Sequence, residues 1–105
     1  MPRAPELWIG LVELKPFDRK AYGAAGAFTN VITWAASKDE FRVKAETIAA
    51  ELEMYVADIE EDEPVAARLE NHTVSEEVED LIEQAQTNPN AILYATFHTY
   101  LNDDA

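Results

Sequence analysis

The sequence predicts an α+β fold: a two-layer sandwich in which a four-stranded sheet carries two main helices on one face, in the order β-β-α-β-α-β. Three observations predict it. Four short runs are β-branched or alternate apolar with polar residues, and Pro, Gly or Asn bounds them. Two longer runs repeat apolar residues at the spacing of an amphipathic helix, each behind a capping-box pattern. The chain of 105 residues, 48% hydrophobic and 28% charged, is the size and composition of one globular domain, 1–105, that buries one core. It has no cysteine, so neither a disulfide framework nor a thiolate metal site supports it.

The elements follow in order. LWIGLVEL (7–14), between Pro5 and Pro16, reads as a strand buried on both faces or nearly so. KPFDRKAYGAAG (15–26) is a long loop with room for one helical turn. AFTNVITWA (27–35) alternates: Phe28, Asn30, Ile32 and Trp34 share one side; Thr29, Val31 and Thr33 share the other. In SKDEFRVKAETIAAEL (37–52), Ser37 and Glu40 form a capping box, and Phe41, Ala45, Ile48, Ala49 and Leu52 make the apolar stripe. MYVADIE (54–60) is the third strand, ending in an acidic run, and Pro64 opens a short helix in PVAARLE (64–70). Thr73 and Glu76 give a second capping box ahead of the stripe Val78, Leu81, Ile82 and Ala85. After the turn NPN (88–90), AILYATFHTYLNDDA (91–105) reads as the last strand. This order is similar to ferredoxin-like and split βαβ architectures, by analogy of layers alone; strand order is not legible.

The last strand is large on both sides. Leu93, Ala95, Phe97 and Leu101 are the smoother set and are expected to face the helices. Tyr94, His98 and Tyr100 then look outward with Trp34 beside them, as a ligand or dimer face of apolar bodies with polar handles. Three coverings compete: a second copy, making a homodimer or higher oligomer; the 15–26 loop, with Phe17 and Tyr22 as plugs; or a ligand or foreign protein in an open groove.

The net charge is −13, unevenly spread. Residues 1–44 hold seven Lys/Arg against five Asp/Glu, whereas residues 45–105 hold one, Arg68, against sixteen. Such a chain repels nucleic-acid phosphates and anionic membranes and attracts basic proteins. The expected contact residues are Asp58, Glu60, Glu61, Asp62 and Glu63 in one acid run, and Glu76, Glu77, Glu79 and Asp80 in another. The competing reading is solubility or adaptation to a salty cytoplasm. No stretch approaches the ~20 apolar residues of a membrane span, and the N-terminal MPRAPELWIGLVELKP lacks a signal-peptide pattern, so no membrane contact and a cytoplasmic location are expected.

Catalytic signals are weak. The two histidines, His72 and His98, stand at no metal-ligand spacing, and no cofactor or metal is assigned. GAAG (23–26) departs from phosphate-loop patterns, and DIEEDEP (58–64) departs from the EF-hand pattern. No catalytic residue set is assigned. The expected function is a small acidic protein-binding domain without catalysis, of inhibitor or immunity type, docking a basic partner. The alternative is a small enzyme or ligand-binding domain with its site on the aromatic sheet face.

Overall fold

A computed structural model describes residues 4–101. Residues 102–105, the tail of the expected last strand, lie outside the described residues. Strand β1 (Glu6–Pro16) pairs antiparallel with β2 (Gly26–Ala35) from Glu6↔Ala35 to Leu14↔Ala27. The loop between them holds one turn, α1 (Arg19–Tyr22). Asp18 caps it by accepting from the main-chain N–H of Lys20 and Ala21, and Gly23 closes it at φ 83°, a conformation that suits glycine. Helix α2 (Lys38–Glu51) then carries the chain across to β3 (Met54–Pro64), on the far side of β1. Both β2 and β3 run antiparallel to β1, so they are parallel to one another with β1 inserted between them: a split β-α-β unit.

Helices α3 (Val65–Asn71) and α4 (Glu76–Gln86) return the chain to β4 (Ile92–Tyr94) and β5 (His98–Tyr100), both paired with β2. The strand order is β3-β1-β2-β4, with β5 also on β2, giving an antiparallel sheet of five strands instead of four. The chain opens with a hairpin of the two central strands, where a ferredoxin-like chain opens with a helical crossover.

The two main helices lie on opposite faces, contrary to the expectation from their stripes. Trp8, Val12, Leu14 and Val31 pack with Phe41, Ala45 and Ala49 of α2. Leu7, Ile9 and Ile32 point the other way and pack with Val65 of α3 and Val78, Ile82 and Ala85 of α4. A narrow stripe does not say which face it covers; the doubly apolar β1 does, because each of its faces needs a cover. On the α2 side, Gly10 lets the Phe41 ring lie against the strand: a Cβ there would stand 2.8 Å from ring carbon Cε1.

Capping is partly as read. Ser37 Oγ accepts from Glu40 N, and Glu40 reaches back to Ala36 N instead of Ser37 N. The second helix is capped by Ser75, which accepts from Val78 N, and not by Thr73.

The last strand is broken. Val31 faces Tyr94, but Phe28 faces His98, where an unbroken register would bring Phe97. One extra residue is absorbed across 95–97, and so the faces swap: Tyr94 looks to the α2 side, His98 and Tyr100 to the other. Thr29 Oγ1 holds the break from within by donating to Ala95 O at 2.8 Å, and Ala95 N donates to Asn30 O at 3.0 Å.

The acid run is strand, not strand end. Leu11↔Glu60 and Ile9↔Glu63 keep it paired to β1 through an irregularity at which Glu61 takes φ 54°. Carboxylates disfavour strand in isolation, but β3 is an edge, and charge on an edge guards its open hydrogen-bonding groups.

Candidate functional site

Helices α3 and α4 cover only one end of their face of the sheet. They pack on the rows of Leu7, Ile9 and Ile32 and, among the described residues, leave the rows beyond bare of helix. There Glu13 pairs with Phe28 and with Asp58, Leu11 with Glu60, and Phe28 with His98. The centre of this bare half is aromatic. The Tyr100 and Phe28 rings lie 5.5 Å apart, and the Tyr100 hydroxyl donates to the Glu13 carboxylate. Tyr100 reaches across Gly26, where any Cβ would meet the Tyr100 hydroxyl and stand 2.7 Å from Leu14 O. Asp58 and Glu60 are exposed along the β3 border, and Lys15 is the one cation in these rows.

Between the bare half and the helices lies a cleft of about 560 Å³. Its floor is Ile9 and Asn30, its walls Glu61, Glu63 and Arg68 on one side and residues 72–75 with Val78 on the other. Arg68 builds the first wall. Its Nε donates to Glu63 Oε2 at 2.7 Å, and Nη2 donates to Glu61 O at 2.6 Å, so one planar guanidinium fixes a carboxylate and the left-handed main chain beside it. The Arg68 side chain is only 13% exposed. This residue stands out in the sequence only as the single base after Lys44, which gives no hint of its position.

The two expected acid runs do not form one surface. Asp58 and Glu60 border the bare half; Glu61 and Glu63 wall the cleft; Asp62 turns to the α2 side, 3.9 Å from Lys38 Nζ and beneath Gly10. Glu76, Glu77, Glu79 and Asp80 are exposed on the first turns of α4, where negative charge suits the helix dipole. Glu77 has a further task. Its carboxylate accepts from Thr96 N at 3.1 Å and Thr96 Oγ1 at 2.6 Å, clamping the broken strand to the helix. The Thr96 side-chain bond most of all, then its main-chain bond, and then the charge of His98, hold the Glu77 carboxyl below its ordinary value.

The expected aromatic set is dispersed as well. Trp34 lies under α4, its Nε1 donating to Ala85 O at 2.8 Å. Tyr94 stacks with Phe97 on the α2 side at 5.3 Å. Only His98 and Tyr100 share the bare half. Neither plug of the 15–26 loop reaches them: Tyr22 packs toward the α2 cluster, where burial raises its hydroxyl pKa, and Phe17 stacks on Tyr55 at 5.9 Å. The set was read from an unbroken alternation, which the extra residue at 95–97 defeats.

Among the described residues no group of three His or carboxylate side chains converges as a metal ligand set, and no helix is long and apolar enough to cross a membrane. Comparison with known proteins gives no relative: no protein-family model, no curated protein and no solved structure matches the chain.

Proposed function

We propose that this chain is a non-catalytic binding domain that docks a basic protein on the bare half of its sheet. The observation that carries the reading is the make-up of that half: a Phe28–Tyr100 centre, held by Glu13 and bordered by Asp58 and Glu60. Aromatic rings supply apolar area at low entropic cost, and carboxylates around them steer a cationic partner and fix its orientation. A second copy suits the face less well. A two-fold contact through this half would set Glu13, Asp58 and Glu60 against the same residues of the other chain, with one lysine per chain to offset them. The Tyr100 ring lies against Gly26 with its hydroxyl given to Glu13, an arrangement that suits a docking face.

The test pairs a pull-down from the host at low salt with two double variants of equal charge change. D58K/E60K reverses the border; E46K/E51K reverses two exposed carboxylates on α2. A protein retained by the parent and by E46K/E51K but lost to D58K/E60K is then purified. Its association with the parent should slow sharply as salt shortens the Debye length from ~10 Å at 0.1 M to ~3 Å at 1 M. Equal loss with both variants overturns the reading. So does light scattering at twice the 11.8 kDa chain mass, which is abolished by D58K/E60K and puts a second copy on the face.

A further inference from the structure

We infer that the cleft between the sheet and the 72–75 segment is a binding site for an organic cation, an alkylammonium or guanidinium group on a short apolar stem. The inference does not depend on docking at the bare half of the sheet. The cleft volume, about 560 Å³, falls within the range of small-ligand sites. Its lining divides by chemistry. Ile9, Val74 and Val78 supply the apolar part of the lining, and Glu61, Asn30 and Thr73 supply a polar part. None of these three polar side chains has a hydrogen-bond or ion-pair partner among the described residues.

The sign of the ligand follows from what is already engaged. Arg68 is the one cation in the lining apart from His72, and its guanidinium is taken by Glu63 Oε2 and Glu61 O. The N-terminus of α4 also borders the cleft, but Ser75 caps it and Glu76, Glu77 and Glu79 occupy its first turn. An anion therefore meets two carboxylates, Glu61 and Glu63, against one guanidinium that already spends two of its five N–H donors on the cleft wall. A cation meets the Glu61 carboxylate directly, with Asn30 and Thr73 as neutral acceptors beside it and an apolar bed for its stem. Arg68 is a positioning residue: it fixes the Glu61 main chain at φ 54° and so sets where that carboxylate stands.

The experiment is an amide-resolved NMR titration of the full chain with three probes: agmatine, a capped Gly-Arg-Gly peptide and inorganic phosphate. Saturable shifts centred on Ile9, Asn30, His72 and Ser75 are expected with either cation and absent with phosphate. The capped peptide carries the guanidinium alone and agmatine carries it with an ammonium, so the ratio of the two affinities reports what the ammonium adds. Glu61→Gln, which keeps the carbonyl that Arg68 holds, should weaken binding by about tenfold. Glu83→Gln removes the same charge from an exposed position of α4 and should leave affinity unchanged. The spectrum of each variant reports its fold directly. Equal weakening by the two variants, unsaturable shifts spread along all the carboxylates, a response to phosphate, or no response to either cation overturns the inference.

Discussion

Replacing Arg68 by Met keeps the aliphatic stem and removes the guanidinium fork. Two charge-assisted hydrogen bonds disappear, at 2.7 Å to Glu63 and 2.6 Å to Glu61 O. Each such bond is worth ~1.5–3 kcal/mol where water is excluded. The Glu63 side chain is 31% exposed and Glu61 is exposed, so water takes over part of both roles. The net cost should therefore be about 1–3 kcal/mol. A left-handed non-glycine residue costs on the order of 1–3 kcal/mol and persists only where neighbours hold it. Without the fork, Glu61 should relax toward extended geometry and the cleft wall should move with it. Urea unfolding followed by circular dichroism should show the midpoint falling by about 0.7–3 M, given an m-value of roughly 1–1.5 kcal/mol/M for a chain of this size. The Cα shift of Glu61 reports the backbone change independently. Arg68→Lys should recover little, because an ammonium cannot span both acceptors in one plane. A midpoint unchanged within about 0.3 M, with Glu61 still left-handed, would refute the assignment of Arg68 as the residue that builds this wall.

Gly10→Ala should cost about 1–2 kcal/mol, the overpacking against Phe41 exceeding the ~0.4–1 kcal/mol gained by stiffening the unfolded chain; in Phe41→Leu the same change should cost less, and additivity in a double-mutant cycle counts against the contact. Ile82→Ala, at a position 6% exposed, should cost ~2–4 kcal/mol by denaturant titration, while the same change at the less buried Ile48 costs less; the reverse order would mean the α4 face is misassigned. Glu77 is held below its ordinary value of 4.5, so its contribution is present above that value and is lost as pH falls through the lowered one. Thr96→Val should raise the Glu77 carboxyl pKa in an NMR titration and lower stability at neutral pH, with the gap closing as pH falls through the lowered value; a gap constant with pH would sever the link.

Much of this architecture was legible because it rests on local rules. Period-2 and period-3.6 patterns located the first two strands, the start of the third and the main helices to within a few residues, and Ser37 marked the start of α2 through chemistry confined to one turn. The 15–26 loop with room for one helical turn was legible from its Pro, Gly and charged residues, and the caps at Asp18 and Gly23 came from the structure. The strand across 54–64 was legible only in its apolar half. Its acidic half is held by pairing to β1, and a partner distant in sequence leaves no local sign. The aromatic site was misread at one point: a single extra residue at 95–97 inverts every side chain after it, and what absorbs that residue is Thr29 and Glu77, remote in sequence.

The sequence by itself determined composition, most of the elements and the charge map: an α+β chain with sixteen of its twenty-one acidic residues after residue 44. The tertiary structure alone decided on which face each helix lies, which half of the sheet stays bare, and that Arg68, Glu61, Asn30 and Thr73 meet around one cleft. The physical reason is the range of the interactions. Periodicity and capping act within a few residues and are written in the chain's local order. Face, register and cleft depend on which distant strand completes each backbone hydrogen-bond ladder and which apolar stripe covers β1 on each side.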